Sequence, residues 1–184
     1  GLPKHRALIK FLSEPGMMTV MQKTENFYMQ EQSKHMPKAD AVLYFVIEEK
    51  NRVIKGTQGR PLLLDMFYNT AIELAPLIIF CHGYKGFKDW GAWDLFSKAL
   101  AAEGIAVLKF NFSHNGGTVE QPIDFPDLEA FGHNNYTKEL EDLDCVLNWA
   151  ETTYANHPHI NGSRLTLVGH SRGGGIAILK AAQD

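Results

Sequence analysis

Cysteine is scarce in this 184-residue sequence, and so are long apolar runs and any excess of one charge. The two cysteines, Cys81 and Cys145, have no metal-ligand spacing. Sequence does not decide a disulfide between them, and both read as buried free thiols. With 18 Lys and Arg against 21 Asp and Glu, the net charge of −3 offers no basic patch for nucleic acid. No apolar run reaches the length of a membrane span. The segment Ala7 to Leu12 is too short and too charged for a signal-peptide core, so a cytoplasmic chain with no membrane partner is expected. No internal repeat or low-complexity tract is evident. What is present, 45% hydrophobic and 21% charged residues, is the composition of a folded domain, and the length allows one substantial core.

The stretch Leu165-Thr166-Leu167-Val168-Gly169-His170-Ser171-Arg172-Gly173-Gly174-Gly175 reads as a buried strand driving into a tight turn with a serine at its apex. Gly169 and Gly173 leave steric room for the turn, and Ile176 to Ala182 supplies the helix that follows. The glycine spacing fits neither of the common phosphate-cradling motifs, so a nucleophile elbow is the better reading. A second strand, Ala75 to Cys81, ends in His82-Gly83-Tyr84-Lys85-Gly86. Acyl transfer needs two backbone N–H donors where negative charge develops on the substrate carbonyl oxygen. The Arg172 amide, directly after the serine, and the Tyr84 amide, after His-Gly, are the candidates.

These residues resemble the α/β-hydrolase superfamily. The runs His82 to Trp90, Phe110 to Gly116 and Gly169 to Gly174 are similar to those of the prolyl-oligopeptidase and dienelactone-hydrolase-like serine hydrolases, and to those of the cinnamoyl and feruloyl esterases. The resemblance covers roughly residues 40 to 184. It implies a serine hydrolase of carboxylic esters, with Ser171 as nucleophile and the Tyr84 and Arg172 amides as oxyanion hole. The catalytic histidine and acid are expected beyond residue 184, so the fragment alone is expected to be inactive. A small-molecule ester or a peptide-like compound is the expected substrate, and no cofactor or metal is expected. A prolyl-oligopeptidase-type peptidase and a noncatalytic, truncated hydrolase-like module remain as alternatives. Serine in place of aspartate at the elbow argues against dehalogenase or epoxide-hydrolase chemistry.

The expected architecture is α/β: a doubly wound, mostly parallel sheet forming the N-terminal portion of the α/β-hydrolase fold, with the C-terminal strands missing. Residues 37–184 form this incomplete domain, and residues 1–36 read as an extension. Ala41 to Glu48 and Pro61 to Tyr68 are the expected antiparallel pair, with Gly56 and Gly59 between them. Leu77 to Cys81, Ala106 to Phe112 and Leu165 to Val168 are the buried strands. Asp89 is expected to cap a helix carrying Trp93, Phe96 and Leu100 that closes at Gly104. A second helix is expected from about Thr137 to Tyr154, with Glu139, Glu141 and Asp142 on a solvated face. The elbow strand would then lie at a sheet edge, which favours self-association.

His114, after the fourth strand, reads as a loop-shaping or substrate-pocket residue and not as the base, because in this superfamily the histidine follows the last strand. His133, His157 and His159 read as surface residues, and His170 as packed beneath the turn.

Overall fold

The computed structural model describes residues 45–183. The extension expected over residues 1–36 lies outside these residues, as do positions 41–44 of the first expected strand.

Within the described residues the first strand, β1, is Val46–Lys55, longer and later than expected. Its middle, Glu48 to Arg52, is too polar to read as a strand. It forms one because it lies antiparallel on β2, Pro61–Asn69, with a register break between Glu49 and Arg52 where Asn51 turns to φ 56. A short 3-10 turn, Thr57–Gly59, joins the two strands. Then follow β3 (Ala75–Cys81), α1 (Trp93–Ala102), β4 (Ala106–Phe110) and α2 (Leu128–Gly132). The chain continues through α3 (Tyr136–Thr153), β5 (Ile160–Gly169) and α4 (Arg172–Ala181).

The five strands form one sheet in the order β1-β2-β4-β3-β5. The β1–β2 and β2–β4 pairs are antiparallel, while β4–β3 and β3–β5 are parallel. Side chains that alternate along the strands separate two layers. Leu62, Leu64 and Met66 of β2, Leu77 and Ile79 of β3, and Leu108 and Phe110 of β4 point to one side, where Leu143 and Val146 of α3 and Ile176 of α4 close the main core. On the other side Phe80 packs on Trp93 of α1, with Phe96 beside them. Helices on both faces make the sheet doubly wound.

Two sequence expectations about polar residues are corrected. Asp89 does not cap α1, which starts behind Ala92 with no side-chain cap; its carboxylate instead joins Lys88 and Lys109. The acidic residues of α3 are not one solvated face, for Glu139 and Asp142 are buried. Asp142 accepts the backbone N–H groups of Thr57 (3.0 Å) and Ser113 (2.8 Å), so it ties the β1–β2 turn to the loop after β4. The helix itself is capped by Asn135, whose side chain accepts from Lys138 N.

Candidate active site

Because β3 and β5 are parallel neighbours, with Cys81 opposite Gly169, their carboxyl ends deliver the His-Gly turn and the serine elbow to the same place. The elbow is a feature of close backbone approach. A Cβ on Gly173 would stand 2.2 Å from the Cys81 carbonyl oxygen, and one on Gly169 would stand 2.3 Å from the backbone of Gly173. Only glycine lets α4 start this near β3. The reversal is absorbed at Ser171, which sits at φ 51, ψ −118, where an L-residue is strained. Ser171 is exposed, and its hydroxyl does not cap α4 although it occupies the N-cap position. The side chain is therefore presented at the protein surface.

The His82–Gly83 turn presses against this elbow. A Cβ on Gly83 would lie 3.2 Å from Ser171 Cβ and 2.9 Å from His170 Nδ1. The turn closes through Gly86 N–H donating to Gly83 O at 3.0 Å, which leaves Tyr84 at its corner with an exposed ring against Phe131. Arg172 opens α4, one residue from Ser171.

His82 braces this turn from below. Phe112 N–H donates to its Nε2 at 3.4 Å, so Nδ1 carries the proton and donates to Gly83 O at 2.9 Å. Burial holds the ring neutral by pushing its pKa down to about 4. Both ring nitrogens are occupied, so His82 has a structural task.

The loop from Gly83 to Ala92 is anchored by groups that sequence reading missed. Asn111 accepts Lys88 N–H at 2.6 Å and donates to Pro122 O at 3.1 Å, joining two loops of the site. Beneath them, Asp65 of β2 and Lys109 of β4, on the α1 side of the sheet, meet Lys88; all three are fully buried. Asp65 lies 2.9 Å from each ammonium group, and Lys109 also donates to Lys88 O at 2.8 Å. Asp89, Asp94 and Lys50 complete the cluster. The carboxylates of Asp65, Asp89 and Asp94 come within 4.8 Å of one another, as metal ligands would, but three ammonium groups neutralise them.

Arg172 is clamped. Its Nε lies 2.9 and 2.8 Å from the two Glu139 oxygens, and its guanidinium carbon lies 4.2 Å from the Tyr136 ring centre. Glu139 stands 33 residues away in sequence, which is why no motif revealed the pair.

His170 belongs to the elbow, and the other described histidines lie apart from this arrangement. His170 stacks on Trp90 and Trp93, on the α1 side of the sheet. His133 is exposed. His157 and His159, expected at the surface, are half-buried in a ring cluster with Tyr68 and Tyr154 near the start of β5. His114 is buried and lines a polar cleft whose lining does not include Ser171.

No family model matches the chain. Among curated proteins, the protein translocase subunit SecA of Christiangramia forsetii is 63% identical over 57 residues, 31% of this chain and 5% of that protein. SecA of Salinibacter ruber is 52% identical over 148 residues, 79% of this chain and 13% of that protein. The chain thus spans a small fraction of these relatives. In fold, it matches a brefeldin A esterase, a bacterial homologue of human hormone-sensitive lipase, with 23% identity and a TM-score of 0.52; the match covers 76% of this chain and 35% of that one. It matches the esterase Est22 with 18% identity and a TM-score of 0.56, covering 92% and 46%. A protein assigned as a dienelactone hydrolase from Klebsiella pneumoniae subsp. pneumoniae gives 25% identity and a TM-score of 0.56, covering 76% and 55%. Likeness in sequence and likeness in fold therefore point to different proteins. The sheet order, the helices on both faces and these neighbours agree on one architecture, and the described residues have the α/β-hydrolase fold.

Proposed function

We propose that the chain carries the nucleophile half of a serine hydrolase acting on carboxylic esters. The observation that carries this is the strained, exposed, uncapped Ser171 beside the Gly83 turn. In this reading Ser171 Oγ attacks the ester carbonyl carbon, and its proton passes to a histidine outside the described residues. The oxyanion that forms is held by the Tyr84 and Arg172 amides. Collapse of the adduct expels the alcohol, and water then releases the acyl group. Esters are preferred over peptides because the fold neighbours include esterases. No described helix is long and apolar enough to cross a membrane. The proposed cytoplasmic location rests on the two free thiols. Self-association is proposed through β5, which among the described residues pairs only with β3.

The test is Ser171→Ala in the full-length protein. Hydrolysis of short aryl esters and labelling by a fluorophosphonate should both be abolished, with the melting temperature little changed. Hydrolysis at the parent level would overturn the assignment.

The SecA likeness favours a second reading, in which part of the chain is a translocase-like segment joined to the hydrolase fold. Limited proteolysis should then release a fragment that retains the described fold. Uniform resistance along the whole chain would count against it.

A further inference from the structure

A cleft of about 420 Å³ opens between the Thr57–Gly59 turn, the loop after β4 and α2. It is lined by Gln58, Arg60, His114, Asp127, Glu129 and Lys138, among others. We infer that this cleft binds a neutral, hydroxyl-rich ligand of the saccharide or polyol class, seated on His114 Nε2.

The orientation of His114 carries the argument. The residue is only 4% exposed. Its Nδ1 lies 2.7 Å from Ser113 Oγ, and Ser113 is itself held by its backbone N–H, which donates at 2.8 Å to Asp142, 1% exposed. Ser113 Oγ thus occupies Nδ1, and Nε2 is the nitrogen left for a ligand, to which it donates or from which it accepts according to the tautomer. Among the described residues Asn134 Oδ1 is the one fully buried side-chain polar atom without a partner. Nε2 bonds no described residue and is not sealed in, so it opens on the cleft.

The surrounding groups select the ligand class. Burial, followed by the nearby Lys138 and Arg60 charges, holds the His114 pKa down at about 4, so the ring is neutral near neutral pH. Arg60 is paired with Asp127, and Lys138 Nζ donates to His133 O at 2.9 Å. With Glu129 also present, the cationic charges are balanced and an anion gains little. A metal is disfavoured as well, because among the described residues the trio of convergent ligand atoms is Asp65, Asp89 and Asp94, in another part of the fold. The cleft gathers the donors and acceptors of Gln58, Glu129, Lys138 and His114, and hydroxyls, which both give and accept, complement such a mixture. Ser171 does not line the cleft, so this proposal and the hydrolase reading stand or fall separately.

The test follows the His114 ring nitrogens by NMR while glucose, sodium sulfate or zinc chloride is added in separate titrations. Glucose should shift Nε2 saturably, with a Kd on the order of millimolar. The exposed substitution Glu129→Ala should weaken that binding about tenfold while leaving the spectrum otherwise unchanged. Ser113→Ala should release the ring at Nδ1 and abolish the saturable shift at Nε2. Absence of a saturable shift with glucose would overturn the proposal. Tighter saturation by sulfate or by zinc would overturn it in favour of an anion or a metal.

Discussion

The elbow and the ionic cluster lie at the same end of the sheet and are held by opposite means. The elbow depends on side chains being absent, since Gly169, Gly173 and Gly83 let three backbones approach where a single Cβ would collide. The cluster under α1 depends on long side chains meeting, with Asp65, Lys88 and Lys109 drawn fully out of water and compensated by one another. Backbone proximity is written into local sequence and tolerates no added atom. Ionic compensation is assembled from β2, β4 and the loop between β3 and α1, and tolerates no lost partner.

The largest expected effect comes from emptying the centre of the cluster. Asp65→Ala leaves two buried ammonium groups facing a cavity, and breaking a buried pair costs about 3–5 kcal/mol. Urea unfolding of the variant should show that loss, and Asp65→Asn should recover only part of it. A loss below about 1 kcal/mol would mean that Lys88 and Lys109 find other partners or water, and the contrast between the two regions would weaken.

On the elbow side the matching test adds one carbon. Gly173→Ala places a Cβ against the backbone oxygens of Cys81 and His82, neither of which is a flexible side-chain end. Helix α4 must move off β3, at about 3 kcal/mol by the usual cost of overpacking. Gly175→Ala is the control, for its Cβ would meet only the edge of Tyr136 at 3.8 Å. It should be neutral or slightly stabilising, as Ala favours a helix by up to about 1 kcal/mol over Gly.

The same contrast explains what could be read from sequence. The elbow, the His82–Gly83 turn and strands β2 to β5 are local patterns of glycine and apolar residues, and Ser171 stands out from them. Asp89 and Asp142 look like a helix cap and a solvated helix face, because short polar residues near helix starts usually are. Among their actual partners, Lys109 of Asp89 and Thr57 of Asp142 stand 20 and 85 residues away. A separation of 33 residues likewise hides the Glu139 clamp on Arg172. β1 runs past the expected end at Glu48 because its polar middle, Glu48 to Arg52, becomes a strand only once β2 is beside it.

Acid should separate the two regions by pH window. Burial lowers the His82 pKa to about 4, below the usual value near 6.5. The unfolded chain therefore binds the proton first, and stability falls as pH drops from about 6.5 to about 4, by no more than about 3 kcal/mol. In the cluster, burial tends to raise the Asp89 and Asp94 carboxyls, but hydrogen bonds from Lys109, with Lys88 and Lys50, outweigh it and hold both below the carboxylate range. Their contribution is complete above the unfolded value of about 4 and is lost only as pH falls through the depressed folded values. Asp142 opposes this trend. Burial raises its pKa against the bonds from Ser113 and Thr57, so its contribution is present below about pH 4 and is lost as pH rises through the raised value. Urea midpoints measured across this range should fall in two stages, and because His114 is also held at about 4, His82→Gln should remove only the elbow's share of the upper one. A single stage below about pH 4 in the parent would place no acid sensitivity at the elbow.

The smallest effect is the most pointed, because it has the opposite sign from the usual one. Glycine substitutions normally destabilise by enlarging the freedom of the unfolded chain. At Ser171 the native φ of 51 with ψ of −118 is unfavourable for any residue with a Cβ, and the hydroxyl caps nothing. Ser171→Gly should therefore stabilise the fold by about 1 kcal/mol, the strain released being somewhat larger than the added unfolded-state entropy. Ser171→Ala keeps the Cβ and should leave stability within about 0.5 kcal/mol of the parent. Thermal unfolding of the three proteins under one set of conditions compares them directly. If the glycine variant melts no higher than the alanine variant, the elbow stores no strain at this residue, and the serine is held out by the close approach of Gly83 and Gly173 alone.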